Sequence, residues 1–485
     1  MDELTRRRFL RLGVCGGAGL GLAAALPGGA LAARPAGHGR AGPDLRPGLD
    51  PAGPLAGVSP GAAADPLEVA RAAGRWLAAR AIETDSGLTW SRVPAEGDEG
   101  DLSLYHGSPG GVLYFLELHT VTGDGEAARV AERGADHLVA ALRSGDPLAP
   151  GLYTGLAGLA YTLDLAHRVT GAPRYREAAR AAVDRIVDTA REAAGGVTWF
   201  EDDPANASSD IVSGASGIGL TLLTLGERWD HEPALDTARA AARHLARIGT
   251  DAGGGRKWAM MPSVPRFMPN FSHGTAGAGY FLARVHGHAA EAELLDAAIA
   301  GARYLEAVSR CEDGGCLVFH HEPEGEDLFY LSWCHGPVGT ARLFHQLATV
   351  TGGASWSEWV FEGARGIRNM GVPERRSPGF WNNVSQCCGD TGVGEFFLAL
   401  HALTGDEAHR EYARRIAENV AGRADDPGAD ERKWTQAEHR VQPELLQAQT
   451  GWMQGAAGVG AFYLHLAARE RGEAPLVVLP DSPWG

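Results

Sequence analysis

The chain has 485 residues, with 44 Lys plus Arg against 60 Asp plus Glu and a formal net charge of −16. That balance offers no basic field to neutralise phosphates and excludes nucleic acid as a natural partner, while 44% apolar and 21% charged residues is a globular composition rather than a disordered one. The 67 glycines are the outlier; they follow neither the three-residue period of collagen nor the serine-mixed pattern of a linker, and recur between apolar helical stretches.

The chain begins with Thr5-Arg6-Arg7-Arg8-Phe9-Leu10-Arg11, an apolar run from Leu12 to Leu26, and Ala30-Leu31-Ala32. A basic tip, a short apolar stretch and an A-x-A site resemble a twin-arginine export signal over residues 1–32, cleaved before Ala33. The alternative is a single membrane anchor, for which this weakly apolar run, interrupted by Pro27, is a poor span. The sequence thus predicts an exported protein, extracellular or in the cell envelope of a bacterium, with no stable membrane span after cleavage. Residues 33–63, rich in Ala, Pro and Gly, read as a flexible tether.

From residue 64 to 475 a G-x-x-G element followed by an apolar helical run recurs seven times, starting at Gly107, Gly155, Gly214, Gly274, Gly336, Gly389 and Gly455. Each interval holds a second helical stretch rich in Ala, Arg and Glu with apolar residues at helical spacing. A repeat array of this kind is either open or closed. Small residues at the closest approach of crowded inner helices favour closure. The prediction is an all-α fold, a closed α/α toroid of seven helical hairpins with the glycine-marked helices inside. The stretch after Gly472, with residues 476–485 at its end, reads as a tail.

The repeats supply a register. Immediately before the first glycine stand His106, Thr154, Ser213, His273, His335, Cys388 and Gln454; one position earlier come Tyr105, Tyr153, Val212, Ser272, Cys334, Cys387 and Met453. In equivalent hairpins these two sets form rings at the inner-helix N-termini, where orphan N–H groups and the helix dipole favour thiolates. Cys15 lies in the signal. Cys311 and Cys316 bracket the turn sequence Glu-Asp-Gly-Gly, either as a local disulfide or as two separate thiols. Cys334, Cys387 and Cys388 meet at one point of the ring, and thiolates select zinc or another soft ion. Three ligands with an open position is the catalytic pattern; a closed site with His335 as fourth ligand, or buried thiols without metal, are the alternatives. His320-His321-Glu322 sits in an acidic stretch outside the register and reads as surface.

The motifs Asp210-Ile-Val-Ser-Gly-Ala-Ser-Gly, Asn270-Phe-Ser-His-Gly-Thr-Ala-Gly, Trp333-Cys-His-Gly and Cys387-Cys-Gly-Asp-Thr-Gly resemble those of the lanthionine synthetase C-like proteins, over about residues 65–475. The resemblance implies an α/α toroid that binds Zn²⁺ through Cys334, Cys387 and Cys388. It further implies addition of a thiol to a dehydroamino acid to form a thioether. It makes His273 the proton-transfer residue and Asp210 its acidic partner. Tyr330 stands where the family carries an arginine, and His335 where a tyrosine is common; both are reserve candidates for the proton role. The partner implied is a peptide, or a small thiol or electrophile. Two other readings remain at this stage: a zinc protein of the same fold that binds thiols or peptides without catalysis, and a glycoside hydrolase, for which Asp210 and Asp390 are the acids nearest the ring.

Overall fold

The computed structural model describes residues 65–97, 99–264, 266–426 and 429–484; the export-type segment 1–32 and the tether 33–63 lie outside the described residues. In chain order the helices are α1 (Pro66–Ala79), α2 (Ser108–Thr122), α3 (Gly125–Arg143), α4 (Leu156–Thr170), α5 (Pro173–Asp188), α6 (Ala215–Trp229) and α7 (Glu232–Ile248). There follow α8 (Thr275–Ala289), α9 (Ala292–Val308), α10 (Pro337–Thr351), α11 (Ala354–Asn369), α12 (Asp390–Thr404), α13 (Glu407–Gly422) and α14 (Ala456–Glu470).

The even-numbered helices are the glycine-marked ones, and their composition decides their place. In α8 every residue from Thr275 to Ala283 is buried, so no face is left for solvent and the helix must be internal. In α7 only the stripe Ala234, Leu235, Ala238, Ala241, Ala242 and Leu245 and its neighbours is buried, which makes it a cover helix. Full burial of a leucine such as Leu245 contributes roughly 1.5–3 kcal/mol.

Seven backbone hydrogen bonds close the inner ring. Tyr105 N–H donates to Tyr153 C=O, Tyr153 to Val212, Ile211 to Ser272, Ser272 to Cys334, Cys334 to Cys387, Cys387 to Met453 and Met453 back to Tyr105, all at 2.9–3.0 Å. Apart from Ile211, which donates in place of its neighbour Val212, the belt runs through the register positions read from the sequence, so equivalent residues of successive copies are neighbours at one end of a closed α/α toroid. The last inner helix, α14, has no outer helix after it. It packs instead against α1, so the N-terminal helix completes the outer ring.

The glycines act differently from the crowding expected of them. A Cβ on Gly274 would sit 1.8 Å from the Met268 carbonyl oxygen, and one on Gly277 would sit 2.1 Å from that of Phe271. The loop before each inner helix wraps its first turn, and the two glycines of G-x-x-G admit its carbonyls. Those carbonyls also take the first N–H groups of the helix: Thr275 donates to Met268 O at 2.9 Å and Ala276 to Pro269 O at 3.2 Å. The orphan donors expected to hold anions are therefore already satisfied. Gly219, by contrast, does meet a neighbouring inner helix, through the ring of Phe281.

Three further features add to the sequence reading: hairpins it did not foresee, the disulfide it offered as one alternative, and a C-terminal stretch it read as a tail. Short antiparallel hairpins link outer to inner helices, among them Ser309–Glu312 with Gly315–Val318 and Thr435–Ala437 with Leu446–Ala448. Cys311 and Cys316 face each other across the first of these and form a disulfide. The residues after Gly472 carry no helix or strand, yet they are seated rather than trailing. Glu117 accepts the N–H groups of Leu476 and Val477 at 3.1 and 2.7 Å. The buried Asp481 carboxylate accepts from Tyr153 Oη and Trp333 Nε1 at 3.1 and 3.0 Å and pairs with Arg342 at 3.1 Å. Among the described residues no helix is long and apolar enough to cross a membrane.

Candidate functional site

The belt delivers Cys334 and Cys387 to adjacent inner-helix starts, and Cys388 follows at the next position. Cys334 and Cys388 Sγ lie 3.3 Å apart, and Cys387 and Cys388 Sγ 3.5 Å. All three ligand atoms lie within 4.8 Å of one another, and all three residues are buried. Tetrahedral zinc with bonds of ~2.3 Å spaces its sulfurs ~3.8 Å apart, so this triangle is close to the size three thiolates of one ion require. Hydrogen bonding with Cys334 and then with Cys387 holds the Cys388 thiol well below its usual pKa, against burial. Buried thiolates clustered this tightly need a cation, and the residues present fit the metal implied by the sequence. No other His, Cys, Asp or Glu among the described residues joins the group, so His335 is not a fourth ligand in this geometry.

Two side chains brace the sulfurs. Tyr105 Oη donates to Cys387 Sγ at 3.0 Å, and Gln454 Nε2 reaches Tyr105 Oη at 3.1 Å and Cys388 Sγ at 3.8 Å. On the other flank His273 Nδ1 meets Asp210 Oδ2 at 2.7 Å, with both side chains buried. Asp210 Oδ1 accepts from the Ser213 N–H at 2.9 Å and from Ser208 Oγ at 3.0 Å, which fixes the carboxylate. The bond to Asp210 is made by Nδ1, which leaves Nε2 as the ring's second nitrogen, a buried atom without a hydrogen-bond partner.

Asn270 links this pair to the next histidine. Its Oδ1 accepts the His273 N–H at 3.0 Å, which turns its amide nitrogen toward His335 Nδ1. His335 Nδ1 is thus the acceptor, and the ring proton sits on Nε2. The His335 ring stacks on His320 with centroids 3.9 Å apart, and Tyr330 stands edge-on to both at 5.1 and 4.5 Å. His320 is therefore not a surface residue as the sequence suggested. The hairpin strand Gly315–Val318 carries it inward over the rim, where burial, aided by His321 and Arg440, holds its pKa far below the usual imidazole value. Burial, reinforced by Cys388 and Cys334, raises the Tyr330 hydroxyl well above its ordinary range, so it is held as a neutral donor.

Asp390 takes no part. Arg376 and Arg423 pair with its buried carboxylate at 3.0 and 2.5 Å, which removes the second acid a glycosidase reading needs. Neither Asn270 nor Glu438 has a role that sequence reasoning assigned. Glu438 lies beyond the strand Thr435–Ala437, outside the repeat register, and meets His106 Nε2 at 3.4 Å.

A closed double ring of helices, with a thiol cluster and a carboxylate-held imidazole on one rim, defines a toroid of the lanthionine-cyclase type. The family model of the lanthionine synthetase C-like proteins matches residues 98–479, and the chain belongs to that family. Nisin cyclase has the same fold, with a TM-score of 0.55 at 16% identity over 78% of this chain and 91% of that one. Two more distant structures also align. An unsaturated glucuronyl hydrolase specific for heparin has a TM-score of 0.46 at 10% identity, covering 85% of this chain and 100% of its own. A family 76 glycoside hydrolase from a bovine Bacteroides thetaiotaomicron strain has a TM-score of 0.47 at 14% identity, covering 84% and 78%. No curated protein matches the chain in sequence.

Proposed function

We propose that this protein is a zinc-dependent catalyst of thiol addition, joining a thiol to the β-carbon of a dehydroamino acid or a related electrophile to form a thioether. The observation that carries the reading is the pairing, on one rim, of a three-cysteine cluster of zinc-compatible size with a histidine whose distal nitrogen is buried and unpartnered. Cys334, Cys387 and Cys388 would hold the ion, which when bound keeps a substrate thiol deprotonated and nucleophilic at neutral pH.

The chain's own residues supply the rest. A free thiol of pKa about 8.5 is mostly protonated at neutral pH, so its proton must be taken up as the sulfur attacks. Attack on the β-carbon leaves an enolate, which ends as product only when a proton arrives at the α-carbon. His273 Nε2 is the donor for that step, held in place by Asp210 through Nδ1. Tyr105 and Gln454 keep the cysteine sulfurs in position. The substrate class is a peptide or a small thiol with its electrophile. Export rests on the sequence of residues 1–32 alone; the twin-arginine route moves folded proteins, so the metal would be acquired before export.

Metal analysis of the purified protein tests the reading. The wild type is expected to carry a single zinc per chain and Cys387→Ala none. A wild type that remains metal-free when refolded with zinc ends it.

A further inference from the structure

Thiol addition moves two protons, and the site described so far accounts for one. The register contains a second histidine that the reading has not used. His106 occupies in the first copy the place that His273 holds in the fourth and Cys388 in the sixth. The belt joins the fourth copy to the sixth through Cys334, and the sixth to the first through Met453. His273 and His106 therefore stand two places away from Cys388 in opposite directions.

Both are paired with an acid, His273 through Nδ1 at 2.7 Å and His106 through Nε2 at 3.4 Å, which leaves Nδ1 as the basic nitrogen of His106. Each imidazole faces a buried carboxylate: Asp210 for His273, and Glu438 for His106, whose side chain is 9% exposed beside a Glu438 that is 4% exposed. Glu438 is fixed by Arg92, by Gln449 Nε2 at 2.7 Å and by His439 Nε2 at 3.8 Å. Burial opposes its charge, but His106 and Arg92 outweigh that and hold the carboxylate well below its usual range. Tyr105 connects this pair to the thiol cluster, its ring 4.5 Å from His106 and its hydroxyl 3.0 Å from Cys387 Sγ. Glu438 and Tyr105 thus face His106 directly, and Arg92 and His439 stand against the carboxylate of Glu438.

Resting on the reading of the site as a thiol-addition centre, we infer that His106 is the base that takes the proton from the incoming thiol, with Glu438 as its positioning residue. The S–H bond breaks as His106 accepts the proton. The sulfur pair forms the S–Cβ bond, the Cα=Cβ π pair becomes the enolate, and His273 returns a proton to Cα. His106 then releases its proton to solvent and His273 takes one up, so that protons and electrons balance over the cycle with water as the only carrier. The two histidines work from opposite sides of the cysteine cluster, one on the sulfur and one on carbon.

The test compares the zinc-loaded wild type, His106→Asn and His273→Asn for addition of an alkyl thiol to a dehydroalanine peptide, across pH 6 to 10. In His106→Asn, kcat/KM is expected to fall about 10²-fold or more near pH 7 and to recover toward wild type above the pKa of the free thiol, where no base is needed. A thiol acidic enough to be ionised at pH 7 should show little loss, and imidazole in the buffer should rescue His106→Ala. His273→Asn should stay slow throughout. Glu438→Gln should reproduce the His106→Asn profile more weakly, with zinc content unchanged. A His106→Asn enzyme with the wild-type rate and profile, or one equally slow with every thiol and at every pH, overturns the assignment. A wild type without activity strikes the underlying reading instead.

Discussion

His273 Nδ1 lies 2.7 Å from Asp210 Oδ2, while its Nε2 is buried with no hydrogen-bond partner. Leaving such a nitrogen unsatisfied costs about 1–3 kcal/mol, a cost the fold bears at a position that faces the thiol cluster's rim. One end of the ring is fixed, and the other is left without a partner.

Asp210→Asn should therefore disable the reaction while sparing the metal. Asparagine keeps the size of the side chain but loses the charge that stabilises an imidazolium; with its oxygen held by Ser213 N–H and Ser208 Oγ, its amide nitrogen would face His273 Nδ1 and demand the wrong tautomer. A fall in kcat of about 10²–10⁴ is expected with unchanged zinc stoichiometry. Steady-state kinetics together with metal analysis check this.

The seated C-terminal segment predicts a stability effect. Asp481→Ala removes the acceptor of Tyr153 and Trp333 and leaves Arg342, only 12% exposed, without its carboxylate. Breaking a buried pair in this way costs about 3–5 kcal/mol, visible as a lower Tm. Trp333 precedes a cysteine of the cluster, so zinc should also dissociate faster from the variant.

A pH effect follows from the anchor of the same segment. Burial disfavours a charge on His465, but Glu395 at 2.8 Å and Glu117 at 3.7 Å outweigh it and lift the pKa to about 10. The folded value lies above the unfolded one of about 6.5. The stabilisation is thus complete below pH 6.5 and is lost as pH rises through 10. Thermal melts of the wild type should decline over that window, and His465→Gln should show a flatter curve from a lower starting point.

How far the sequence reached depended on the glycines. They fixed the repeat and its register, so the toroid and the meeting of Cys334, Cys387, Cys388 and His273 at one rim were legible before any coordinates. Their physical task was not: the carbonyls of Met268 and Phe271 lie over Gly274 and Gly277, a contact made by the preceding loop and invisible in spacing alone. Glu438 and His320 were missed because both are carried by hairpins between the helices, where no helical period locates a side chain. His320 also sits in an acidic stretch that looks solvated, yet its ring is covered by His335 and Tyr330. The C-terminal segment has no periodicity to read; its seat depends on Glu117 and Arg342, more than a hundred residues away in the chain.

The stereochemistry of the product tests proton delivery at this rim most directly. Zinc-loaded protein, a thiol and a dehydroalanine peptide should give the thioether far faster than the uncatalysed mixture, with a single configuration at the α-carbon set by proton delivery from His273. A racemic adduct formed at the background rate by correctly folded, zinc-loaded protein would contradict it.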